Sequence, residues 1–139
     1  ESIMKINPYV HFAGTCEEAF AYYGKVIGAK TTVIMKVGGS PAEEHMPKDW
    51  KDKVLHGEVT IDGHVLMATD APPAFYCKPQ GFSVTLHVDD VADAERKFNA
   101  LADGGSVGMP FSATFFAKGF GMCVDKFGIP WGVICPIEM

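Results

Sequence analysis

A repeat is the feature of this 139-residue chain that most limits how it can fold. Each half is predicted to read strand, helix, strand, strand, strand. Three pairs of corresponding residues define the repeat, two with an offset of 76 residues and one with an offset of 65: His11 and His87, Gly28 and Gly104, Gly63 and Gly128. The shorter third offset is explained by a loop at 38–53 in the first half, which the second half lacks.

The first half opens with residues 6–12, whose polarity alternates as expected for a strand with one face on a core. Thr15 and Glu18 have the spacing of a capping box, which predicts a helix start, and Gly28 suits the helix end. Residues 38–53 contain turn residues and mixed charge without clear periodicity, which is typical of a long loop. The remaining strands of this half are predicted at 31–37, 55–61 and 64–69, the last two joined by an Asp62-Gly63 hairpin turn.

The second half follows the same plan. Residues 82–88 alternate in polarity, and Asp89 or Asp90 is expected to cap a helix that ends at Gly104-Gly105. Met109-Pro110 indicates an edge strand or a bulge, because proline cannot donate to a sheet ladder. Three further strands are predicted at 106–113, 120–124 and 131–135, the last two joined by a turn on Phe127-Gly128.

These elements predict the α+β class, with two paired βαβββ modules at 5–70 and 79–136 inside a single domain of residues 1–139. Residues 71–74 are the predicted linker between the halves. We expect the two sheets to pair into an open, eight-stranded, barrel-like cup with the helices outside. A concave and half-polar sheet face of this kind favours ligand binding.

Composition narrows the classes of partner. The formal charge of −5 gives no electrostatic reason to expect nucleic acid or an anionic membrane as partner. No apolar run approaches the length of a membrane span, and no basic-then-apolar leader opens the chain, so a cytoplasmic location is expected. Cys16, Cys123 and Cys135 lie in apolar segments, which favours buried free thiols over disulfides or a structural zinc site.

Strand alternation singles out polar side chains that point away from the core. His11 and His87 are equivalent in the repeat and could act as general acid and base or as ligands, or could simply hydrogen-bond across strands. His56 and Glu58 share one face of their strand, where Glu58 could be a base beside a substrate or a solvated residue. Leu55, Gly57, Val59 and Ile61 are the predicted core side of that strand, and Ile6, Val10 and Phe12 that of the first strand.

Aromatic residues offer a second candidate feature. Tyr9, Phe116 and Trp131 could form a wall for an organic ligand, although strand aromatics are usually core residues. His45 in the loop and His64 beside the hairpin turn are expected to be solvated.

Taken together, the motifs resemble the vicinal oxygen chelate superfamily (glyoxalase, bleomycin resistance and extradiol dioxygenase proteins), and its PhnB-like branch in particular. The resemblance spans essentially the whole chain, and the order and spacing of its motifs are more specific than any one of them. One departure is Phe116, where the branch usually has tryptophan. The motifs are Pro8 to Gly14, Glu18-Ala19 with Tyr22-Tyr23, Leu55-His56-Gly57, Met67 to Asp70, Thr114-Phe115-Phe116 and Asp125 to Trp131.

The resemblance implies paired βαβββ modules and a homodimer. Enzymes of the superfamily hold a divalent metal with two histidines and one or two glutamates at fixed strand positions, and the corresponding positions here fall near Asn7, Met67, Ser83 and Gly132. An amide, a thioether, a hydroxyl and a hydrogen do not make a competent ligand set, so no metal centre and no cofactor are expected. A methyltransferase label used for this branch finds no support, because no strand, Gly-rich turn and helix unit with a following acidic residue is present.

The resulting prediction is a small-molecule binder without the usual metal. Its predicted ligand residues are Tyr9, His11, His56, Met67, Thr85, His87, Phe116 and Trp131. The rival prediction is a lyase, isomerase or transferase that uses a divalent metal on His11 and His87, with or without His56 or Glu58. Its candidate catalytic residues are His11, His87 and Glu58. A third alternative is that the concave face serves mainly as a dimer interface.

Overall fold

A computed structural model describes residues 2–137, which divide into two compact units between Cys77 and Lys78. The first unit contains β1 (Tyr9–Phe12), α1 (Cys16–Ile27), β2 (Lys30–Lys36), two short 3-10 helices (Pro41–His45 and Lys48–Trp50), β3 (Val54–Ile61) and β4 (His64–Asp70). The second contains β5 (Val84–His87), α2 (Val91–Ala102), β6 (Ser106–Ser112), β7 (Ala117–Val124) and β8 (Pro130–Pro136).

The two units have the same topology. Their sheets have the strand orders β1-β4-β3-β2 and β5-β8-β7-β6. In each sheet the first strand pairs in parallel with the last strand of the unit, and the other pairs are antiparallel. The predicted α+β class with two βαβββ modules is therefore confirmed. The joining of the two sheets into one cup stays a prediction.

The core of the first unit lies between its sheet and α1. Phe12 of β1 packs against Phe20 and Tyr23 of the helix, at ring-centroid distances of 6.4 and 6.5 Å. Gly57 of β3 makes room for this packing, since a Cβ at that position would lie 2.8 Å from the ring of Phe20. The predicted core position of Ile6 is wrong: β1 begins at Tyr9, and Ile6 is 92% exposed.

The predicted core pattern of β3 also needs one correction. Val54, not Leu55, is the buried residue at the start of the strand. The register of β2 against β3 shifts between Met35 and Lys36, and this irregularity breaks the simple alternation. Thr69 of β4 donates its hydroxyl hydrogen to the carbonyl of Leu55 at 2.7 Å, which satisfies a group that the ladder leaves free.

The predicted capping box at the start of α1 is wrong. Thr15 occupies the N-cap position but its side chain makes no capping hydrogen bond. The backbone N–H of Cys16 instead donates to Oδ1 of Asp70, and the N–H of Val54 donates to Oδ2 of the same carboxylate, both at 2.9 Å. One buried aspartate therefore joins the first turn of α1, the end of β4 and the start of β3.

The second unit confirms two other local predictions. The side chain of Asp90 accepts a hydrogen bond from the N–H of Asp93 and caps α2. β6, which contains Met109-Pro110, is the edge strand of its sheet, and its register against β7 shifts on both sides of Met109. Its core includes Trp131, which is fully buried and donates its indole N–H to Oδ2 of Asp125 at 2.8 Å.

The 38–53 segment is ordered by contacts with the rest of the first unit. Lys53 donates from Nζ to the carbonyl of Gly14 at 2.8 Å and lies over the ring of Trp50. Trp50 is buried and donates its indole N–H to the carbonyl of Asp70. Within residues 2–137, neither helix has the length and apolar character that crossing a bilayer requires.

Candidate functional site

The candidate site lies on the face of the first sheet opposite α1, which we call the helix-free face. Strand alternation turns Val10 and Val59 toward the helix and leaves their neighbours on the other side. The register then places Tyr9 beside Met67, Met67 beside Glu58, and His56 beside Met35. The helix-free face includes Tyr9, His11, Met35, His56, Glu58, Met67 and Thr69.

A hydrogen-bonded pair, His56 and Glu58, lies near the middle of this face. Nε2 of His56 is 2.8 Å from Oε2 of Glu58, and the two side chains are 31% and 29% exposed. An ionised carboxylate can only accept hydrogen bonds, so Nε2 carries the proton and donates. In the neutral imidazole, Nδ1 then has a free lone pair. The hydrogen bond to Glu58 therefore leaves Nδ1 of His56 as a hydrogen-bond acceptor.

Tyr9 lies between two imidazoles. Its ring centroid is 5.3 Å from that of His11 and 5.9 Å from that of His56, with interplanar angles of 74° and 60°. These are edge-to-face contacts, which suit aromatic quadrupoles and hold the rings at defined angles. Because Tyr9 is 47% exposed, part of its ring is open to a ligand.

Sequence reasoning identified most of this face, but it missed Met35 and Thr69. Met35 is half-exposed on β2 and lies directly across from His56. Residues 31–37 show no alternation in polarity that could assign Met35 to a face, and the bulges in the β2–β3 ladder hid which residues of β3 it meets. Thr69 is paired in register with His11, and its hydroxyl is already used by the carbonyl of Leu55.

The ligand residues predicted in the second half of the sequence all belong to the second unit. Thr85 and His87 are exposed on β5, in register with Gly132 and Ile134 of β8. Phe116 precedes β7 and is 43% exposed, with its ring 5.4 Å from that of Phe120. These three residues have the exposure that a ligand contact requires.

Trp131 does not have that exposure. It lies on the same side of β8 as Val133 and Cys135, and all three are fully buried. Its one polar group, the indole N–H, is already bonded to Asp125. Trp131 is therefore a core residue of the second unit and not part of a ligand wall, because the alternation of β8 turns its side chain into the interior.

The metal positions implied by the superfamily do not fit a metal ion. The register brings Tyr9, not Asn7, beside Met67, and Thr85, not Ser83, beside Gly132. Phenol, thioether and hydroxyl groups are poor ligands for the divalent metals that imidazole and carboxylate bind. In the described part of the chain, no three histidine, cysteine, aspartate or glutamate side chains are grouped so that they could hold a metal ion.

The surroundings of two buried thiols, Cys16 and Cys123, disfavour the nucleophilic thiolate form. Burial, together with the nearby carboxylates of Asp70 and Glu17, raises the pKa of Cys16 far above its usual range. Burial and Asp125 raise the pKa of Cys123 to about 11. Both thiols are therefore protonated at neutral pH, whereas the reactive form of cysteine is the thiolate.

A surface depression of about 610 Å³ lies elsewhere in the first unit, on the 38–53 segment between Gly39 and Lys51. Two of its charged residues already have partners: Glu43 accepts from the N–H of Gly39 and pairs with Lys51. The depression contains neither the aromatic rings nor the histidine–carboxylate pair of the helix-free face.

Comparisons with known proteins agree with this fold. Residues 4–134 match the model of a family described as 3-demethylubiquinone-9 3-methyltransferase. Protein YjdN of Escherichia coli is 35% identical in an alignment of 136 positions that covers 92% of this chain and 92% of its own. The crystal structure of protein PA1353 from Pseudomonas aeruginosa is 44% identical, covers 98% of this chain and 100% of its own, and has a TM-score of 0.87.

More distant structures share the fold. A putative 3-demethylubiquinone-9 3-methyltransferase, PhnB protein, from Bacillus cereus is 24% identical, covers 94% of this chain and 98% of its own, and has a TM-score of 0.76. A glyoxylase/bleomycin resistance protein/dioxygenase domain from Frankia is 14% identical, covers 99% of this chain and 98% of its own, and has a TM-score of 0.59.

Proposed function

We propose a small-molecule binding function for this chain, which belongs to the PhnB-like branch of the glyoxalase/bleomycin resistance/dioxygenase superfamily, the family described as 3-demethylubiquinone-9 3-methyltransferase. The ligand is an organic molecule that binds on the helix-free face of the first sheet, without the superfamily's usual metal centre. In the second unit, Thr85, His87 and Phe116 are proposed as ligand contacts of that unit's own exposed surface.

One observation carries this proposal: the helix-free face combines aromatic rings with polar atoms that the fold does not use. Tyr9 presents a half-exposed ring, flanked by the imidazoles of His11 and His56. Met35 and Met67 add flexible, polarisable apolar surface on either side of β3. Small-molecule sites have this composition, with mostly apolar and aromatic walls and a few polar groups that fix the ligand's orientation.

The activity in the family's description is not the function that we propose. In the first unit, β1 and α1 are joined by the short segment 13–15, with the single glycine Gly14. The first N–H of α1, on Cys16, is taken by the carboxylate of Asp70. A nucleoside-type cofactor is instead recognised by a Gly-rich turn and free helix N–H groups.

Calorimetric titration with a panel of small aromatics (phenol, anisole, benzoate and benzylamine) tests the proposal. We expect saturable binding by at least one compound. Replacing Tyr9 by Ala should weaken it about tenfold, since a lost aromatic contact costs roughly 1 kcal/mol beyond its buried area. His64→Ala is the matched control, because His64 is an exposed residue beside the hairpin turn. Binding that Tyr9→Ala leaves unchanged would contradict the proposal.

The metal content of the purified protein tests the second part of the proposal. We expect no divalent metal to co-purify with the chain or to bind tightly in a titration. Near-stoichiometric metal that His11→Ala removes would overturn the metal-free description. The result would favour the rival function, a divalent-metal-dependent lyase, isomerase or transferase that uses His11, His56 and His87.

A further inference from the structure

We propose that the ligand of the helix-free face is a phenol, whose hydroxyl binds Nδ1 of His56, and that Glu58 is the positioning residue that makes Nδ1 the acceptor. The inference rests on the proposed function and names the ligand class of the same site. Three features of the described residues carry it: the direction of the His56–Glu58 hydrogen bond, the accessibility of Nδ1, and the rings that surround it.

The direction of the hydrogen bond follows from the chemistry of the two groups. Glu58 accepts through Oε2 at 2.8 Å and, as a carboxylate, has no proton to donate. The proton of a neutral His56 is therefore on Nε2, and Nδ1 is left as an acceptor. A ligand atom that meets Nδ1 must supply a hydrogen, which selects hydroxyl and amine groups over ethers and carbonyls.

Nδ1 is open to a ligand. Within residues 2–137 the only side-chain hydrogen bond of His56 is the one from Nε2 to Glu58, so Nδ1 has no hydrogen-bond partner. No side-chain nitrogen or oxygen in this part of the chain is both buried and without a hydrogen-bond partner. Because His56 is only half-buried and Nδ1 has no partner, Nδ1 keeps contact with solvent, which a ligand hydroxyl can replace.

The surroundings of His56 favour an aromatic ligand without a negative charge. Tyr9 and His11 provide ring edges on one side, and Met35 faces His56 from β2. Beside a neutral His56 the carboxylate of Glu58 repels benzoate-type anions, which also bring no hydrogen for Nδ1. An ammonium ligand would lose a strongly bound hydration shell on this half-buried face, whereas a neutral phenol brings both a ring and a donor with little desolvation cost.

Ligand binding can include the transfer of a proton from the phenol to His56, which requires no other reactant. The phenol O–H bond breaks, its electron pair stays on the oxygen, and an N–H bond forms at Nδ1 of His56. The imidazolium that results lies between the phenolate and the carboxylate of Glu58. The other titratable groups on this side of the sheet are Tyr9 and His11 on β1 and Lys30, which lies across from Thr60. The residues of β4 on this side, Val65, Met67 and Thr69, carry no charge.

The test compares para-nitrophenol with para-nitroanisole, which has the same ring and nitro group but no donor hydrogen. We expect para-nitroanisole to bind about tenfold more weakly, the factor that corresponds to one hydrogen bond. The coloured phenolate form also reports proton transfer. On the acid side of the probe's own ionisation, the fraction of phenolate should be higher when it is bound to the protein than when it is free.

Glu58→Gln tests the positioning role. A glutamine can either accept from Nε2 or donate to it, so it no longer fixes the proton on Nε2. We expect the variant to keep its melting temperature and its affinity for para-nitroanisole, but to lose the excess phenolate and the preference for para-nitrophenol. Glu44→Gln, at an exposed glutamate of the 38–53 segment, is the matched control. His56→Gln should have the same effects as Glu58→Gln.

The outcomes separate this inference from the proposed function. Equal affinities for the two probes, both lowered by Tyr9→Ala, would overturn the phenol inference and leave the binding site in place. An unchanged phenolate fraction in Glu58→Gln would overturn the role of Glu58. If neither the probes nor the aromatic panel bind, the proposed function itself is wrong.

Discussion

The carboxylate of Asp70 is predicted to be a main stabilising group of the first unit. It is 3% exposed and accepts hydrogen bonds at 2.9 Å from the N–H of Cys16, in the first turn of α1, and from the N–H of Val54, at the start of β3. Replacing Asp70 by Ala removes both acceptors at once. It leaves two backbone N–H groups without partners in a site that water cannot easily reach.

The expected loss of unfolding free energy follows from the two hydrogen bonds that Asp70 accepts. A buried donor that loses its partner costs about 1–3 kcal/mol, so Asp70→Ala should lower the free energy of unfolding by about 3–5 kcal/mol. Loss of a negative charge near a helix N-terminus adds to this cost. In Asp70→Asn, one N–H keeps an oxygen acceptor and the other faces an amide donor, so the expected loss is about 2–3 kcal/mol. Domains are typically stable by about 5–15 kcal/mol, so both variants should still fold.

Urea unfolding followed by tryptophan fluorescence measures these losses, since one of the two tryptophans, Trp50, donates its indole N–H to the carbonyl of Asp70. Amide hydrogen exchange then shows where stability is lost, with the N–H groups of Cys16 and Val54 expected to lose most protection relative to wild type. Asp49→Ala, at an exposed aspartate in the second 3-10 helix, is the control. A loss below about 1 kcal/mol in Asp70→Ala would refute the reasoning.

Three further predictions concern the cores of the two units and their pH dependence. Trp131→Phe removes the indole donor to Asp125 and should cost about 2 kcal/mol in urea unfolding; no loss would mean that this hydrogen bond does not stabilise the fold. Gly57→Ala forces a Cβ to within 2.8 Å of an aromatic ring of α1 and should cost about 1–3 kcal/mol, and a neutral result would show that the ring can move aside. Burial and Asp125 raise the pKa of Cys123 from 9.0 to about 11, so the folded state holds this proton more tightly; stability should fall as pH rises from 9.0 toward 11, and Cys123→Ala should reduce that slope.

Much of the fold could be predicted because its signals are local. Polarity alternation located the strands, and glycines marked the turns: Asp62 and Gly63 have φ values of 46° and 85° in the β3–β4 hairpin, and Gly28 has a φ of 72° after α1. Because the two halves repeat, the elements predicted in one half could be checked against those predicted in the other. The shared strand order of the two sheets confirmed the repeat.

The incorrect predictions involve partners that are distant in sequence or irregular in register. Cys16 receives its cap from Asp70, which is 54 residues away, and no local pattern reveals such a partner. Val54 replaces Leu55 in the core because the β2–β3 ladder contains bulges, and each bulge changes the face that a residue occupies.

The sequence indicated which face of the sheet the site's side chains share, but not how close together they lie. Alternation correctly indicated that His56 and Glu58 share a face, yet only the structure shows that they are hydrogen-bonded and that Tyr9 lies against His56. For Trp131, alternation left the core and ligand-wall interpretations open. Its burial depends on how the second sheet packs, which a single sequence does not contain.

Mapping of bound para-nitrophenol by amide chemical shifts tests the central claim most directly. The account predicts that the largest shifts fall on β1 at residues 9–12, on β3 at 56–58 and on β4 at 67–69, and that they saturate together as the probe is added. Shifts confined to the 38–53 segment, or to residues outside the first sheet, would contradict the assignment of the helix-free face as the binding site.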